Sequence, residues 1–344
     1  MKFTNLLIIS TSFVFAALSG CSSTATNSDN ATALRPRSSL VVDTITSDTS
    51  AELIGSAQVQ EFSTQETIDG TAYGLIGDGS TDNTATFRKL MSVTGRKITI
   101  NAGTYVTGSF SIPDNTELVL MPGTVIKDLG HLGSDERLIS IRSNNVKIIG
   151  YGARVVSDRT FYTGGEQRHG IFIFGATNVT IEGLTSESHS GDGFYIGGPT
   201  LHPSMDIVLL SCNASNNRRQ GLSITSARRV DIVDIETTRT AGTSPQFGID
   251  IEPNLESNFI DEITLVRPRT GNNEGGGIMV YLAKLTSASP PVSVKVLSHL
   301  SMNEKSFVVA GDAGVIGTIS YSESDVKNQC ASNNSCIAKS FINP

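Results

Sequence analysis

The feature that most constrains the fold is a five-residue pattern that recurs along the second half of the chain. It consists of a glycine, an apolar residue, any residue, a second apolar residue and again any residue. It begins at Gly170, Gly193, Gly221, Gly248 and Gly277, at intervals of 23, 28, 27 and 29 residues. Residues 306–309 continue it without the glycine. Short alternating segments at a near-constant spacing are typical of parallel β-solenoids, in which each repeat forms one coil.

A second set of alternating apolar segments lies between the copies of this pattern. The segments are residues 178–181, 206–209, 230–233, 262–265 and 292–296. The Leu/Asn consensus of leucine-rich repeats is missing, and a β-sandwich would not keep so regular a period. The 33 glycines and the low charged fraction of 17% also suit many strands and tight turns better than a helical bundle. We therefore predict an all-β, single-stranded parallel β-helix of long coils.

The charge balance excludes two classes of partner. With 26 Lys and Arg against 33 Asp and Glu, the formal net charge is −7. An acidic chain of this kind is a poor candidate for wrapping nucleic acid or for coating anionic lipid through bulk charge. We therefore expect no nucleic-acid partner.

The N-terminus predicts export and a lipid anchor. Lys2 precedes an apolar run over residues 6–18, which is short for a bilayer span, and small residues then lead to Cys21. Residues 1–20 resemble a bacterial lipoprotein signal, which implies lipidation of Cys21; an ordinary secretory signal is the alternative. Ser22 stands where an Asp would retain an enterobacterial lipoprotein at the inner membrane, so we expect an outer-membrane anchor in the cell envelope. Residues 21–65, rich in Ser, Thr and Asn, predict a flexible tether.

The remaining cysteines fit an exported protein. Cys330 and Cys336 flank a five-residue loop and are expected to form a local disulfide in an oxidising compartment. Cys212 follows an apolar run and is expected to be a buried, inert thiol. No spacing predicts a zinc or iron–sulfur site. The folded domain is predicted over residues 66–344, with a C-terminal cap over about 306–344, and we expect a monomer.

Residues 73–87 supply a family resemblance. They contain a Gly-Asp-Gly turn and an Asp-Asn-Thr, from which Ser80 or Asp82 is expected to cap a helix running to about Ser92. An Ala-Gly-Thr-Tyr segment follows at residues 102–105. This run resembles the N-terminal segment of the pectate-lyase-like superfamily. The resemblance covers residues 68–305 and implies a right-handed parallel β-helix with a short N-terminal capping helix. The motifs of polygalacturonases and of mannuronan epimerases are absent, so neither chemistry is carried over.

The repeats place particular residues on one face. By alternation, the apolar positions point inward, and the other positions point outward in columns that run from coil to coil. The first column is Phe172, Tyr195, Ser223, Asp250 and Met279; the second is Phe174, Gly197, Thr225, Glu252 and Tyr281; His169, Asp192, Gln220 and Phe247 precede the glycines. The glycines themselves predict either a floor for an extended ligand or a repeated turn with positive φ.

The chain between residues 151 and 240 contains eight arginines and no lysine. Arginine binds carboxylates and sulfates through a planar fork, so this bias favours recognition of an acidic polysaccharide; ion-pair ladders between coils are the alternative. The expected substrate-binding residues are Arg168, His169, Phe172, Arg218, Gln220 and Tyr281.

Two kinds of catalysis fit the columns. A lyase that cleaves a uronic-acid polymer by β-elimination could use Tyr195 or His189 as base and acid, with Arg218, Arg219 and Gln220 neutralising the substrate carboxylate. An inverting hydrolase would use Asp192, Asp250 and Glu252. The lyase is the leading hypothesis, and a non-catalytic polysaccharide-binding surface lipoprotein is the third. No cofactor is expected, although Asp250 and Glu252 could bind Ca²⁺.

Overall fold

The computed structural model describes residues 40–44, 66–162, 164–311 and 314–324. Within them the chain forms one short helix, α1 (Thr84–Leu90), and 27 strands, numbered along the chain, in three parallel sheets, the first two of which are joined by one long strand. The first sheet contains β1 (Leu40–Thr44), β2 (Glu66–Asp69), β4 (Arg96–Ile100), β7 (Thr116–Leu120), β10 (Val146–Ile149), β13 (Thr177–Glu182), β16 (Ser204–Leu210), β19 (Ala227–Val233), β22 (Ile260–Val266), β25 (Val292–Ser301) and β27 (Gly317–Glu323). The second contains β3 (Asp78–Asp82), β5 (Gly103–Thr107), β8 (Thr124–Asp128), β11 (Arg154–Val156), β14 (Thr185–Glu187), β17 (Asn213–Ser215), β20 (Glu236–Thr238) and β23 (Arg269–Gly271). The third contains β6 (Phe110–Ile112), β9 (Ile139–Ile141), β12 (Ile171–Phe174), β15 (Phe194–Gly197), β18 (Leu222–Ile224), β21 (Phe247–Ile251), β24 (Gly276–Leu282) and β26 (Phe307–Gly311).

Each coil adds one strand to each sheet in turn, which confirms the predicted solenoid. The core is a set of apolar columns, because parallel pairing in register places equivalent residues directly above one another. Ile148, Ile181, Leu209, Ile232 and Leu265 form one such column, and all five are fully buried. Burial of each side chain stabilises the fold by about 1.5–3 kcal/mol.

The N-terminal helix is present but begins later than predicted. Asn83, and neither Ser80 nor Asp82, is the N-cap residue. The Asn83 side chain makes no cap hydrogen bond; its Oδ1 accepts the N–H of Ile76 at 2.8 Å and so fixes the preceding turn. On the inner side of α1, Phe87 stacks on Phe110 with ring centroids 4.6 Å apart. The helix therefore covers the apolar end of the first coils, as a cap must.

The repeated glycines have a different role from either that was predicted. Gly170, Gly193, Gly221, Gly248 and Gly277 do not have positive φ, and they form no outward floor. A Cβ at Gly221 would lie 2.5 Å from the carbonyl oxygen of Gly248 and 2.7 Å from Cβ of Thr237, which is fully buried. The chain bends into the third sheet at these positions, so that they face the crowded interior corner. Regular alternation starts only with the apolar residue that follows.

This geometry predicts that Gly221→Ala will destabilise the protein by about 1–3 kcal/mol, because the new methyl group meets backbone that cannot move aside. Gly164→Ala is the control, since a Cβ there has no neighbour within 4 Å. The measurement is the urea unfolding midpoint of both variants. Equal midpoints would show that the corner has room for a side chain.

The two ends of the chain are only partly described. Strand β1 pairs in parallel with β27, so five residues of the predicted tether lie against the last coil. Strands β26 and β27 add further coil within the predicted C-terminal cap. The predicted signal segment, Cys21, Cys330 and Cys336 lie outside the described residues. The described part of the chain has no helix that is both long and apolar enough to cross a membrane.

Candidate active site

The outer face of the third sheet brings the predicted columns together. Phe172, Tyr195, Ser223, Asp250 and Met279 are consecutive partners in the register of β12, β15, β18, β21 and β24. Most of these side chains are buried, although they point away from the core, because further side chains and the chain before β12 cover them. The face is therefore a packed polar and aromatic layer.

Four rings form an aromatic stack on this face: His169, Phe172, Phe174 and Tyr195. The centroid of Tyr195 lies 4.7 Å from that of His169 and 5.0 Å from that of Phe172, and Phe172 lies 5.1 Å from Phe174. Residues 172 and 195 stack because parallel strands place them in register, and 172 and 174 because they are two positions apart on one strand. Of the four rings only that of Phe174 is partly exposed, so the stack is part of the packed layer and not an open surface.

An acid cluster adjoins the stack and consists of Glu166, Asp192, Asp250 and Glu252 around Arg219. Arg219 Nη1 lies 3.4 Å from Asp192 Oδ2, and Nη2 lies 3.5 Å from Glu252 Oε2. Arg219 Nε lies 3.4 Å from Glu166 Oε2. Asp192 and Asp250 are fully buried, whereas the Glu252 side chain is 27% exposed and that of Glu166 is 53% exposed. One cation therefore faces four carboxyl groups. Because a single guanidinium cannot balance four negative charges, the protonated form of a carboxyl group in the cluster is favoured.

The buried carboxyls of the acid cluster are shifted toward their neutral forms. Burial raises the pKa of Asp192 to about 6, although Arg219 opposes the shift. Burial, and then the adjacent Glu252 carboxylate, raise the pKa of Asp250 well above its usual value. Gln220 Nε2 donates a hydrogen bond to Asp250 Oδ2 at 2.8 Å, while Oδ1 of both aspartates has no partner. Asp250 therefore keeps its proton at a pH where an exposed aspartate has lost it.

His169 and Tyr195 are held in their neutral forms. His169 Nδ1 lies 3.0 Å from the backbone nitrogen of Asp192 and 3.3 Å from Asp192 Oδ2, and His169 Nε2 is buried without a partner. Burial, followed by the positive charge of Arg137, lowers the pKa of His169 well below its usual value. The Tyr195 hydroxyl lies 2.9 Å from Thr225 Oγ1, and burial raises its pKa. Neither group is thereby prepared to accept a proton at neutral pH.

Three predicted residues lie outside this arrangement. His189 is inside the coil, where its Nε2 lies 3.2 Å from the Val155 carbonyl oxygen and burial lowers its pKa to about 4. Arg168 donates to the Leu132 and Gly164 carbonyl oxygens at 3.0 and 2.7 Å. Arg218 donates to the Tyr162 carbonyl oxygen at 3.2 Å. The first is a corner histidine, and the two arginines hold the segment before β12 against the coils.

The arginine bias is explained mainly by contacts within the chain, contrary to the recognition hypothesis. Ion pairs link coils: Arg154 with Glu187 at 3.1 Å, Arg228 with Asp261 at 2.9 Å and Arg229 with Asp206 at 2.6 Å. Arg159 donates to the carbonyl oxygen of Asn216 and to that of Ala241. Arg219 alone of the eight belongs to the acid cluster. Tyr281 is half-buried, and the register of β21 and β24 places it one coil beyond Glu252 in the second column.

Sequence reasoning missed Arg137 and Arg142, which flank β9. In the sheet register Arg137 precedes His169 in its column, and Arg142 precedes Phe174. Both guanidiniums lie over the Phe172 ring, at 4.5 and 5.2 Å from its centroid. The sequence does contain a copy of the five-residue pattern at residues 138–142. It was overlooked because Leu138 occupies the position of the glycine.

Among the described residues, no group of three or more His, Cys, Asp or Glu side chains is placed to hold a metal ion. The calcium site considered from the sequence therefore stays a prediction. Cys212 is buried and free, and burial raises its pKa to about 12, in agreement with an inert thiol.

Known proteins support the fold. Residues 123–284 match the family described as the right handed beta helix region. The uncharacterized protein YclG of Bacillus subtilis is 25% identical over 221 residues, which are 54% of this chain; the chain covers only 38% of that relative's length.

Solved structures give the same result. The family 28 exopolygalacturonase of Yersinia enterocolitica has a TM-score of 0.52 and 12% identity, over 76% of this chain and 66% of that one. PfbA, a surface adhesin of Streptococcus pneumoniae, has a TM-score of 0.53 and 12% identity, over 75% and 72%. Bacteriophage phi29 gene product 12 has a TM-score of 0.56 and 18% identity, over 68% and 32%. At such identities the similarity concerns the fold alone. The chain therefore has the right-handed parallel β-helix fold that its repeats and N-terminal motifs predicted.

Proposed function

We propose that the protein hydrolyses glycosidic bonds in an anionic polysaccharide, with the acid cluster as its catalytic centre. The observation that carries the proposal is the contrast between Asp250, whose pKa is raised well above its usual value, and the more exposed Glu252 two residues along the same strand. Glycoside hydrolysis needs one carboxyl group that donates a proton and a second that is ionised. In this arrangement Asp250 is the general acid, and Glu252 or Asp192 activates the water molecule.

The two candidate bases lie on either side of one cation. Asp192 Oδ2 and Glu252 Oε2 contact the Arg219 guanidinium at 3.4 and 3.5 Å. Both carboxylates are therefore held beside the strand that carries Asp250.

Arg219 controls access to the buried acids. Its contacts with the three carboxylates are 3.4–3.5 Å long, whereas strong arginine–carboxylate bonds are about 2.7–2.9 Å. No single partner holds the guanidinium tightly. An anionic group of the substrate can therefore draw it away from Asp192 and expose the carboxyl groups. This requirement favours a polymer with carboxylate or sulfate groups over a neutral one.

The repetition of the outer face from coil to coil favours a polymer as the ligand. Successive coils present binding groups about 4.8 Å apart along the solenoid, which matches an extended chain better than a small molecule. The exopolygalacturonase of Yersinia enterocolitica, a polymer-degrading enzyme by its name, shares the fold.

A lyase is the second candidate. Arg219 and Arg137 both favour the phenolate of Tyr195, which would then take the proton from the sugar ring. However, burial outweighs them and raises the pKa of Tyr195, and burial lowers the pKa of His169 well below its usual value. The face therefore offers a better acid and base for hydrolysis than for β-elimination.

The test uses the full chain on a panel of uronic-acid, sulfated and neutral polysaccharides. Reducing ends and the ultraviolet absorbance of the unsaturated lyase product are followed together. Hydrolysis of an anionic polymer gives reducing ends without absorbance. A rise of both signals would replace the proposal with the lyase. Retention of polymer without either signal would identify a binding protein instead.

A further inference from the structure

We propose that a cleft between Arg88, Arg137 and Arg142 is a subsite for an anionic sugar residue, through its carboxylate or sulfate group. The cleft has a volume of about 460 Å³ and lies at the N-terminal end of the third sheet's outer face. Its wall also includes Ser111 and Ser140, which precede Phe172 in the first column. The inference rests on the proposed function for its polymer, but its test measures binding alone.

Arg142 carries most of this inference. Its side chain is exposed, and within the described residues its guanidinium has no carboxylate within ion-pair distance. Arg154, Arg228 and Arg229, by contrast, are all ion-paired with a neighbouring coil. The Arg142 guanidinium lies over Phe172 and Phe174, at 5.2 and 5.0 Å from the ring centroids. The rings hold the cation in place and leave its N–H groups available to a ligand.

Arg137 supports the same ligand. Its Nη2 donates to Gln167 Oε1 at 2.7 Å and its Nη1 to the Asp135 carbonyl oxygen, while its Nε is buried without a partner. Burial and the neighbouring Arg142 lower the pKa of Arg137, which means that the two cations repel each other. An anion placed between Arg137 and Arg142 would offset the burial of the Arg137 charge and reduce the repulsion between the two cations.

The acids of the cleft do not cancel these charges. Asp135 is exposed, and Glu136 is engaged by the N–H of Gly133 at 2.8 Å and by the Ser109 hydroxyl at 3.3 Å. Arg88 donates to the Ser109 carbonyl oxygen at 2.9 Å, which turns its guanidinium toward the cleft wall. Three arginines against two acids leave the cleft positively charged.

The position of the cleft gives the subsite its role. Strand β9 lies two coils before β15, which follows Asp192, and four coils before β21, which carries Asp250. At about 4.8 Å per coil the cleft is roughly 10–19 Å from the acids. The mostly buried aromatic stack lies beneath this interval. A polymer anchored in the cleft by one anionic residue therefore places a bond a few sugars further along at the acid cluster.

The experiment is calorimetric titration of the full chain with carboxylated, sulfated and neutral oligosaccharides of equal length, in the wild type and in Arg142→Gln. Loss of a charged, forked contact is expected to weaken binding of the anionic ligands about ten- to a hundredfold, with a smaller dependence on salt. Comparison of the carboxylated and sulfated ligands identifies the group that binds. Arg228→Gln is the matched control, because Arg228 also lies over a phenylalanine ring, that of Phe259, at 5.4 Å.

Unchanged affinity in Arg142→Gln, equal losses for neutral and anionic ligands, or no binding of either anionic ligand by the wild type would each overturn the subsite. Binding that depends on Arg142 without any cleavage would support the subsite and contradict the proposed hydrolysis. A cleavage rate that is unchanged in Arg142→Gln would contradict the subsite and support the proposed hydrolysis.

Discussion

Replacing Glu252 by glutamine is expected to slow cleavage of the polymer by about 10²–10⁴-fold, the usual contribution of a general acid or base. Glutamine keeps the size and the polar contacts of the side chain but cannot accept a proton from water. Glu252 is 27% exposed and contacts Arg219 only at 3.5 Å, so the unfolding midpoint is expected to stay close to that of the wild type. Initial rates of reducing-end release and urea unfolding curves measure the two effects separately.

Glu182→Gln is the matched control for this prediction. Glu182 also pairs with a cation, Lys147 at 2.9 Å, and its side chain is 20% exposed, but it lies on the first sheet away from the acid cluster. Its rate is expected to equal that of the wild type. Wild-type turnover in Glu252→Gln and in Asp250→Asn as well would show that the acid cluster is not the catalytic centre.

The sequence was sufficient to predict which residues share the outer face. Parallel coils stack in register, so the position of a residue in its repeat determines its column, as Phe172, Tyr195 and Asp250 show. The prediction was wrong where alternation does not apply. Gly221 and its equivalents lie at a bend before the strand, and the direction of a Cβ there depends on the corner geometry rather than on the pleat.

The environment of the site residues could not be predicted in the same way. An arginine pairs with a neighbouring coil when an acidic side chain lies opposite it, and is available to a ligand when none does. The lengths of the turns determine which side chains lie opposite one another. Arg228 meets Asp261, whereas Arg142 meets only aromatic rings. Burial is equally non-local: Asp192 points outward in its column, but Arg219 and the neighbouring rings cover it completely. The pKa shifts that distinguish the acids therefore require the folded structure.

The burial of Asp192 should destabilise the protein at neutral pH. Its pKa is raised to about 6 in the folded state, whereas an unfolded aspartate titrates near 3.9. Between these values the folded protein binds more protons than the unfolded chain, so stability is present at low pH and is lost as the pH rises from about 4 through 6. Two pKa units correspond to about 3 kcal/mol.

Asp192→Asn, which resembles the protonated carboxyl but does not titrate, is therefore expected to equal the wild type in stability near pH 4. It should become more stable than the wild type by up to about 3 kcal/mol at pH 7.5. Urea unfolding at intervals of one pH unit measures this difference in stability. Asp250 titrates in both proteins, so its contribution is largely removed when the two are compared. Asp206→Asn should become less stable than the wild type as the pH rises, because Arg229 lowers the pKa of Asp206. The loss of stability should be small, because the Asp206–Arg229 pair is exposed. A stability difference for Asp192→Asn that does not change with pH would mean that Arg219 fully compensates the buried charge.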